Sequence, residues 1–170
     1  SNWRMGTKSR DIKMAKTLID IAHDAGADAV KFQTYKPETV YVSNAGDSDY
    51  LSESGIKEPI TEIFRDLSMP YEMIPILYDH CKKYRIKFMS TPFSVQDVNA
   101  LNPYVEIHKI ASYEITHSRL IEFIAKTKKP LILSTGAATY DEIKWAVDHF
   151  YENGGKQISL MQVTAKYTAP

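Results

Sequence analysis

The sequence predicts an α/β fold in which a parallel sheet is joined by crossover helices, and three observations predict it. Short apolar runs alternate with segments of helical periodicity along the whole chain. The last four strand centres recur at intervals of roughly 20–30 residues, the size of a βα unit. Several strands end in polar or charged residues, and none is followed by the Gly-rich phosphate fingerprint of an open dinucleotide-binding sheet. A barrel mouth gathers groups from many strand ends in this way. The expected architecture is therefore a (β/α)8 TIM barrel, present here only in part, with about five parallel strands and their helices.

The elements follow from local pattern. Ile12, Ala15, Leu18, Ile19 and Ala22 recur at helical spacing from about Asp11 to Ala25, and Gly26 supplies the usual C-terminal stop. Ala29 to Gln33 then reads as a short buried strand. A helix is expected from about Tyr71 to Tyr84, with Pro75 either kinking it or delaying its start. The second strand is Ile86 to Ser90, and Ser94 with Asp97 caps a helix reaching about Leu101. Strands at Val105 to Ile110, Leu131 to Ser134 and Ile158 to Val163 alternate with two further helices. One runs from Ser118 to about Lys126. The other opens on the capping box Thr139–Glu142 and ends at Gly154-Gly155. The long excursion from Tyr35 to about Met69 is rich in turn residues and reads as an active-site loop.

Composition narrows the class. A chain of 170 residues fits one domain. Its 21 Lys and Arg balance 21 Asp and Glu, so there is no basic field to argue for nucleic acid. No apolar run approaches the roughly 20 residues that span a bilayer, and no secretory apolar region opens the chain. The single cysteine, Cys81, fits a reducing compartment, and a cytoplasmic location is expected. On its helix Cys81 reads as a small buried hydrophobe. The five histidines show no paired metal-ligand spacing, and His23, His80 and His149 are expected at the surface or rim. Lys126, Lys128 and Lys129 read as a solvated helix cap. The chain opens without Met and stops at Pro170, soon after an apolar segment, so it is expected to be part of a longer polypeptide.

Taken in order, the strand ends offer Lys31 and Gln33, then Thr91, then Lys109, Ser112 and Glu114, then Ser134, then Lys166 and Tyr167. Two lysines and several hydroxyls around one apolar-walled cavity suit a small, doubly anionic ligand. Glu114 beside them is a candidate general acid or base, with burial raising its pKa and Lys109 lowering it. Each has a plainer reading. A strand lysine is commonly a solvated edge residue, Glu114 a surface carboxylate, and Ser134-Thr135-Gly136 turn chemistry before a helix. Lys31 and Lys109 sit inside apolar runs, which weighs against a wet edge.

Four segments carry a resemblance. Ala25 to Gln33, Met89 to Phe93, His108 to Glu114 and Leu133 to Ala137 stand in the order and spacing of the sialic acid synthase family. That family includes N-acetylneuraminate, legionaminate and pseudaminate synthases and spore-coat polysaccharide relatives. The resemblance implies a phosphoenolpyruvate-dependent synthase acting on an N-acetylmannosamine-type aldehyde to give a nonulosonic acid and phosphate. It implies that Lys31, Thr91, Lys109, Ser112 and Ser134 hold phosphoenolpyruvate, that Gln33 and Tyr167 meet the sugar, and that Glu114 faces the reacting carbons. A divalent metal, manganese or magnesium, is implied as well. Its histidine ligands, the first strand, the later strands and an antifreeze-like C-terminal domain are expected outside residues 1–170. A homodimer is the family precedent for the full-length protein, and these residues alone are expected to be inactive. The segment Met161 to Pro170 departs from many members, which carry His-Cys near its start and Pro directly after the tyrosine; Ala165 also replaces a polar residue. Two other functions compete: a Schiff-base aldolase using a strand-end lysine, and a sugar-binding barrel remnant without turnover.

Overall fold

A computed structural model describes residues 7–40 and 60–165 of the chain. Tyr167 and Lys166, and most of the predicted active-site loop, lie outside the described residues. The first helix, α1 (Lys8–Asp24), starts on Thr7, whose hydroxyl accepts the Arg10 amide. It ends at Gly26, where φ is +78°; Ala27 then donates back to the Ala22 carbonyl, six residues closing the cap. The strand β1 (Ala29–Thr34) leads to a short helix α2 (Pro37–Val40), and α3 (Ile60–Leu67) precedes α4 (Met73–Tyr84). Because α4 begins at Met73, Pro75 falls in its first turn, where the missing N–H costs no helical bond.

The rest is βα alternation: β2 (Lys87–Pro92), α5 (Val95–Leu101), β3 (His108–Ile110), a 3-10 turn (Ser112–Glu114), α6 (Ser118–Lys126), β4 (Leu131–Ser134), α7 (Tyr140–Glu152) and β5 (Ile158–Met161). Both predicted caps form. Ser94 accepts the Asp97 amide, and Thr139 and Glu142 close a full capping box. Two strands are shorter than the apolar runs suggest. Val105 is still in the turn after α5, its amide bonded to the Leu101 carbonyl, so β3 begins only at His108. At the other end, β5 stops at Met161, whose carbonyl accepts the Thr135 amide.

All strand pairing is parallel, β1 with β2 and β4 between β3 and β5. The strands β2 and β3 lie side by side without a shared hydrogen-bonded ladder among the described residues. One face of the strands is covered by helices. Phe32 and Phe88 pack with Ile19, Leu77 and Cys81 of α1 and α4. Ile110, Leu131 and Leu133 pack with Ile121, Ile124 and Phe150 of α6 and α7. Alternation sends the neighbouring residues to the other, open face. No helix among the described residues is long and apolar enough to cross a membrane.

The solvated-cap reading fails for Lys129. Its ammonium turns inward and donates to the Asn102 and Val105 carbonyls, tying the end of α5 to the approach to β4. Lys126 does stay outside, paired with Glu122. Neither His80 nor His149 is merely a rim residue: His80 reaches Asp20 at 2.7 Å across the α1–α4 contact, and His149 meets Ser118 across α6–α7. Cys81 is buried, with its thiol pushed up to about 12 by desolvation, so it behaves as the predicted small hydrophobe.

Candidate active site

The open face is built by register. Lys31 stands opposite Met89 and Gln33 opposite Thr91, so this set projects to one side while Phe32 and Phe88 enter the core. In the second sheet Lys109 pairs with Ile132, which puts Ser134, two residues on, on the same face. The Lys109 ammonium donates to Ser134 Oγ at 2.6 Å and to the Ile110 carbonyl at 2.5 Å. Its side chain is almost wholly enclosed, with 5% exposure. Enclosure lowers its pKa to about 8, and the positive charge of Lys31 pushes the same way. The two ammonium groups, 78 residues apart in sequence (109 − 31), therefore share one field.

Lys31 differs from Lys109 in access. It remains exposed by surface area, yet the walls around its stem desolvate the charge and lower its pKa. With Gln33 it lines an opening of about 790 Å³ whose other walls include Tyr35, Phe93, Ser112 and Tyr113. Thr91 lies buried on the same face beside them.

Ser112 and Gly136 fasten the third and fourth strand ends together. The Gly136 amide donates to Ser112 Oγ at 3.1 Å. A Cβ at position 136 would stand 2.8 Å from the Ala165 Cβ and 2.9 Å from the Val163 carbonyl. Three chain segments approach so closely there that only glycine fits, which makes Ser134-Thr135-Gly136 more than a turn before α7.

Glu114 sits half-buried on the same 3-10 turn, but it is not among the residues that line the opening. Burial raises its pKa, and the opposing charge is His117 rather than the predicted Lys109. The predicted sugar contact Tyr167 lies outside the described residues. Among the described residues no three His, Cys, Asp or Glu side chains come together to hold a metal ion. The described donors therefore do not by themselves fit the divalent metal that the resemblance implies.

One group that sequence reasoning reduced to a cap has a wider role. Asp97 is fully buried; its carboxylate accepts the Tyr71 hydroxyl at 2.5 Å, the Ser94 hydroxyl at 2.7 Å and the Phe93 amide at 3.2 Å. Burial and this carboxylate both raise the Tyr71 pKa. The Lys36 ammonium lies 4.9 Å from the centre of the Tyr71 ring. These contacts hold the chain just after Thr91, with Phe93 set edge-on against Tyr35 at 5.7 Å. Spacing alone shows the bond to Ser94; the Tyr71 bond joins positions 26 residues apart and leaves no local signal.

Comparison with known proteins places these features in company. A family model described as "NeuB family" matches residues 18–170. The N,N'-diacetyllegionaminic acid synthase of Campylobacter jejuni subsp. jejuni serotype O:2 is 38% identical over 164 residues, covering 94% of this chain and 49% of that protein. A pseudaminic acid synthase of the same organism is 33% identical, covering 92% of this chain and 46% of its own length. The chain thus spans about half the length of the curated relatives it matches. Among solved structures, the N-acetylneuraminic acid (sialic acid) synthetase of Leptospira borgpetersenii serovar Hardjo-bovis, crystallised with citrate, superposes with a TM-score of 0.81 at 30% identity. That match covers 94% of this chain and 52% of the other. The architecture is accordingly a partial barrel of the TIM type, as the strand spacing predicts.

Proposed function

The chain belongs to the NeuB family, and on that footing we propose that it forms the anion-binding part of a nonulosonic acid synthase. The reaction joins phosphoenolpyruvate to the open-chain aldehyde of an N-acetylated amino sugar. One observation carries the proposal: Lys109 is enclosed, bonded to Ser134, and close enough to Lys31 to feel its charge. Two ammonium groups crowded at strand ends repel each other when the site is empty. A small dianion removes that repulsion, and each positive group then gains a charge-assisted bond.

In this reading the phosphate and carboxylate of phosphoenolpyruvate settle between Lys31 and Lys109, with the Thr91, Ser112 and Ser134 hydroxyls completing the cradle. Gln33, on the wetter side of the opening, meets the sugar together with Tyr167. The methylene carbon of phosphoenolpyruvate forms a bond to the aldehyde carbon, and the aldehyde oxygen takes a proton. Water adds to the carbon left cationic when the π pair forms the new bond, and loses one proton to give a hydroxyl; phosphate then leaves with its C–O bond pair while that hydroxyl loses its proton and becomes the ketone. Glu114 supports these proton movements, and desolvation brings its carboxyl nearer to the neutral-pH range in which acid and base forms both serve. The metal implied by the family would polarise the aldehyde, and the described donors do not hold it.

One observation favours a second reading. An enclosed lysine with a pKa of about 8 is also suited to Schiff-base chemistry with a keto acid. The deciding experiment incubates the full-length protein with phosphoenolpyruvate and N-acetylmannosamine and follows phosphate. Release that requires both substrates supports the synthase. A borohydride-trapped adduct on Lys109 with pyruvate, and no phosphate release, overturns it in favour of the aldolase.

A further inference from the structure

The anion cradle accounts for Lys31 and Ser112 of the opening but leaves its aromatic residues without a task. Tyr113 lies between Ser112 and Glu114 on the 3-10 turn after β3, and it belongs to neither apolar core. It is 73% exposed, among the most exposed large side chains of the described residues, and it lines the opening. A residue placed there contributes little to folding. Its position is nevertheless fixed: the hydroxyl donates to the Ala165 carbonyl at 3.3 Å, across from the third strand end to the fifth. Ala165 is itself held in the left-handed region, φ +56°, and its side chain occupies the space that any Cβ at Gly136 would need. The ring is thus tied at its polar tip where it lines the opening. Phe32, Tyr35, Phe64 and Phe93 supply the rest of the aromatic lining, with Tyr35 set against Phe93 and its hydroxyl donating to the Phe64 carbonyl.

We propose that Tyr113 is a specificity-determining residue of the sugar subsite, its ring receiving the N-acetyl methyl of an acylated amino sugar. The argument rests on the synthase reading above and deepens it. An open-chain amino sugar is polar along nearly all its length, and the acyl methyl is its principal apolar group. Phosphoenolpyruvate, charged at both its carboxylate and its phosphate, offers no such methyl, so an aromatic ring beside the cradle discriminates for the second substrate alone.

The test compares full-length wild type with Tyr113→Phe and Tyr113→Ala. Thermal midpoints are measured for all three proteins, and KM values are compared at a temperature where each is folded. Tyr113→Ala raises KM for N-acetylmannosamine about tenfold, the size of one aromatic contact, and leaves KM for phosphoenolpyruvate unchanged. Tyr113→Phe, which loses only the brace, raises KM for the sugar about threefold. Saturation-transfer NMR on N-acetylmannosamine gives an independent readout: the acetyl methyl is the most strongly labelled group in wild type, and Tyr113→Ala loses that enhancement. Equal rises in both KM values, or an unchanged sugar KM in Tyr113→Ala, overturn the assignment while the synthase reading stands. If wild type neither consumes nor binds any N-acetylated amino sugar, the synthase reading and this inference both fall.

Discussion

The helix-covered and open faces of the strands are cut from the same short segments and obey opposite rules. In β4, Leu131 and Leu133 disappear into the core under α6 and α7, while Ser134 turns to the open side and accepts from Lys109. In β1, Phe32 packs in the core beside α1 and reaches the opening only from that side, while Lys31 and Gln33, on either side of it, belong to the other face and line the opening there. The covered face gains free energy by burying apolar area. The open face loses some, since it encloses one ammonium near another, and Lys109 bonds to Ser134 and the Ile110 carbonyl rather than to a carboxylate. Stability and chemistry are thus separated by a two-residue period, and substitutions on the two faces should fail differently.

The largest effect is expected on the open face. Replacing Lys109 with Met should lower kcat/KM for phosphoenolpyruvate by about 10²–10³-fold, the usual cost of one lost charge-stabilising donor. The thermal midpoint of the empty protein should hold or rise, because a desolvated charge and its repulsion from Lys31 are removed. A large fall in melting temperature would show that the two faces are not separable. On the covered face, Leu131→Ala should destabilise by about 2–5 kcal/mol in urea denaturation, with kcat per folded molecule unchanged.

A pH titration sharpens the same contrast. Lys109 has a folded pKa of about 8 against an ordinary 10.5, so between these values the unfolded chain binds more protons. Folding stability from this group therefore rises with pH across that window and falls as pH drops toward 8. Affinity for phosphoenolpyruvate should move the other way, weakening as Lys109 loses its proton above about pH 8. Calorimetry and thermal scans on wild type and Lys109→Met check both slopes, and the variant should flatten each. The smallest effect is expected at the α7 cap, where Thr139→Ala should cost about 1 kcal/mol of stability and leave both KM values alone.

Much of the molecule is legible in the primary structure for identifiable reasons. Helix ends at Ser94, Thr139 and Gly26 are written in residues that act within a few positions of themselves, so local reading finds them. The limits of β3 and β5 are misjudged because apolar runs continue where the backbone bonds to a turn or a neighbouring loop instead of a ladder. Lys129 is misread because its partners are the Asn102 and Val105 carbonyls, 27 and 24 residues away. Asp97 is seen as a cap and not as an anchor for the end of β2, since Tyr71 reaches it only after α4 has packed.

The order of amino acids alone determined the alternating elements, the parallel crossover plan, and which strand-end residues carry positive charge or hydroxyl groups, because periodicity and capping act over distances of a few residues. Tertiary structure decided that Lys109 is enclosed and bonded to Ser134, that Lys31 shares its field, that Gly136 is gripped between Ser112 and Ala165, and that the ring of Tyr113 stands at the opening. Those facts depend on parallel strands settling into one register, and register is fixed only when distant apolar faces are buried together.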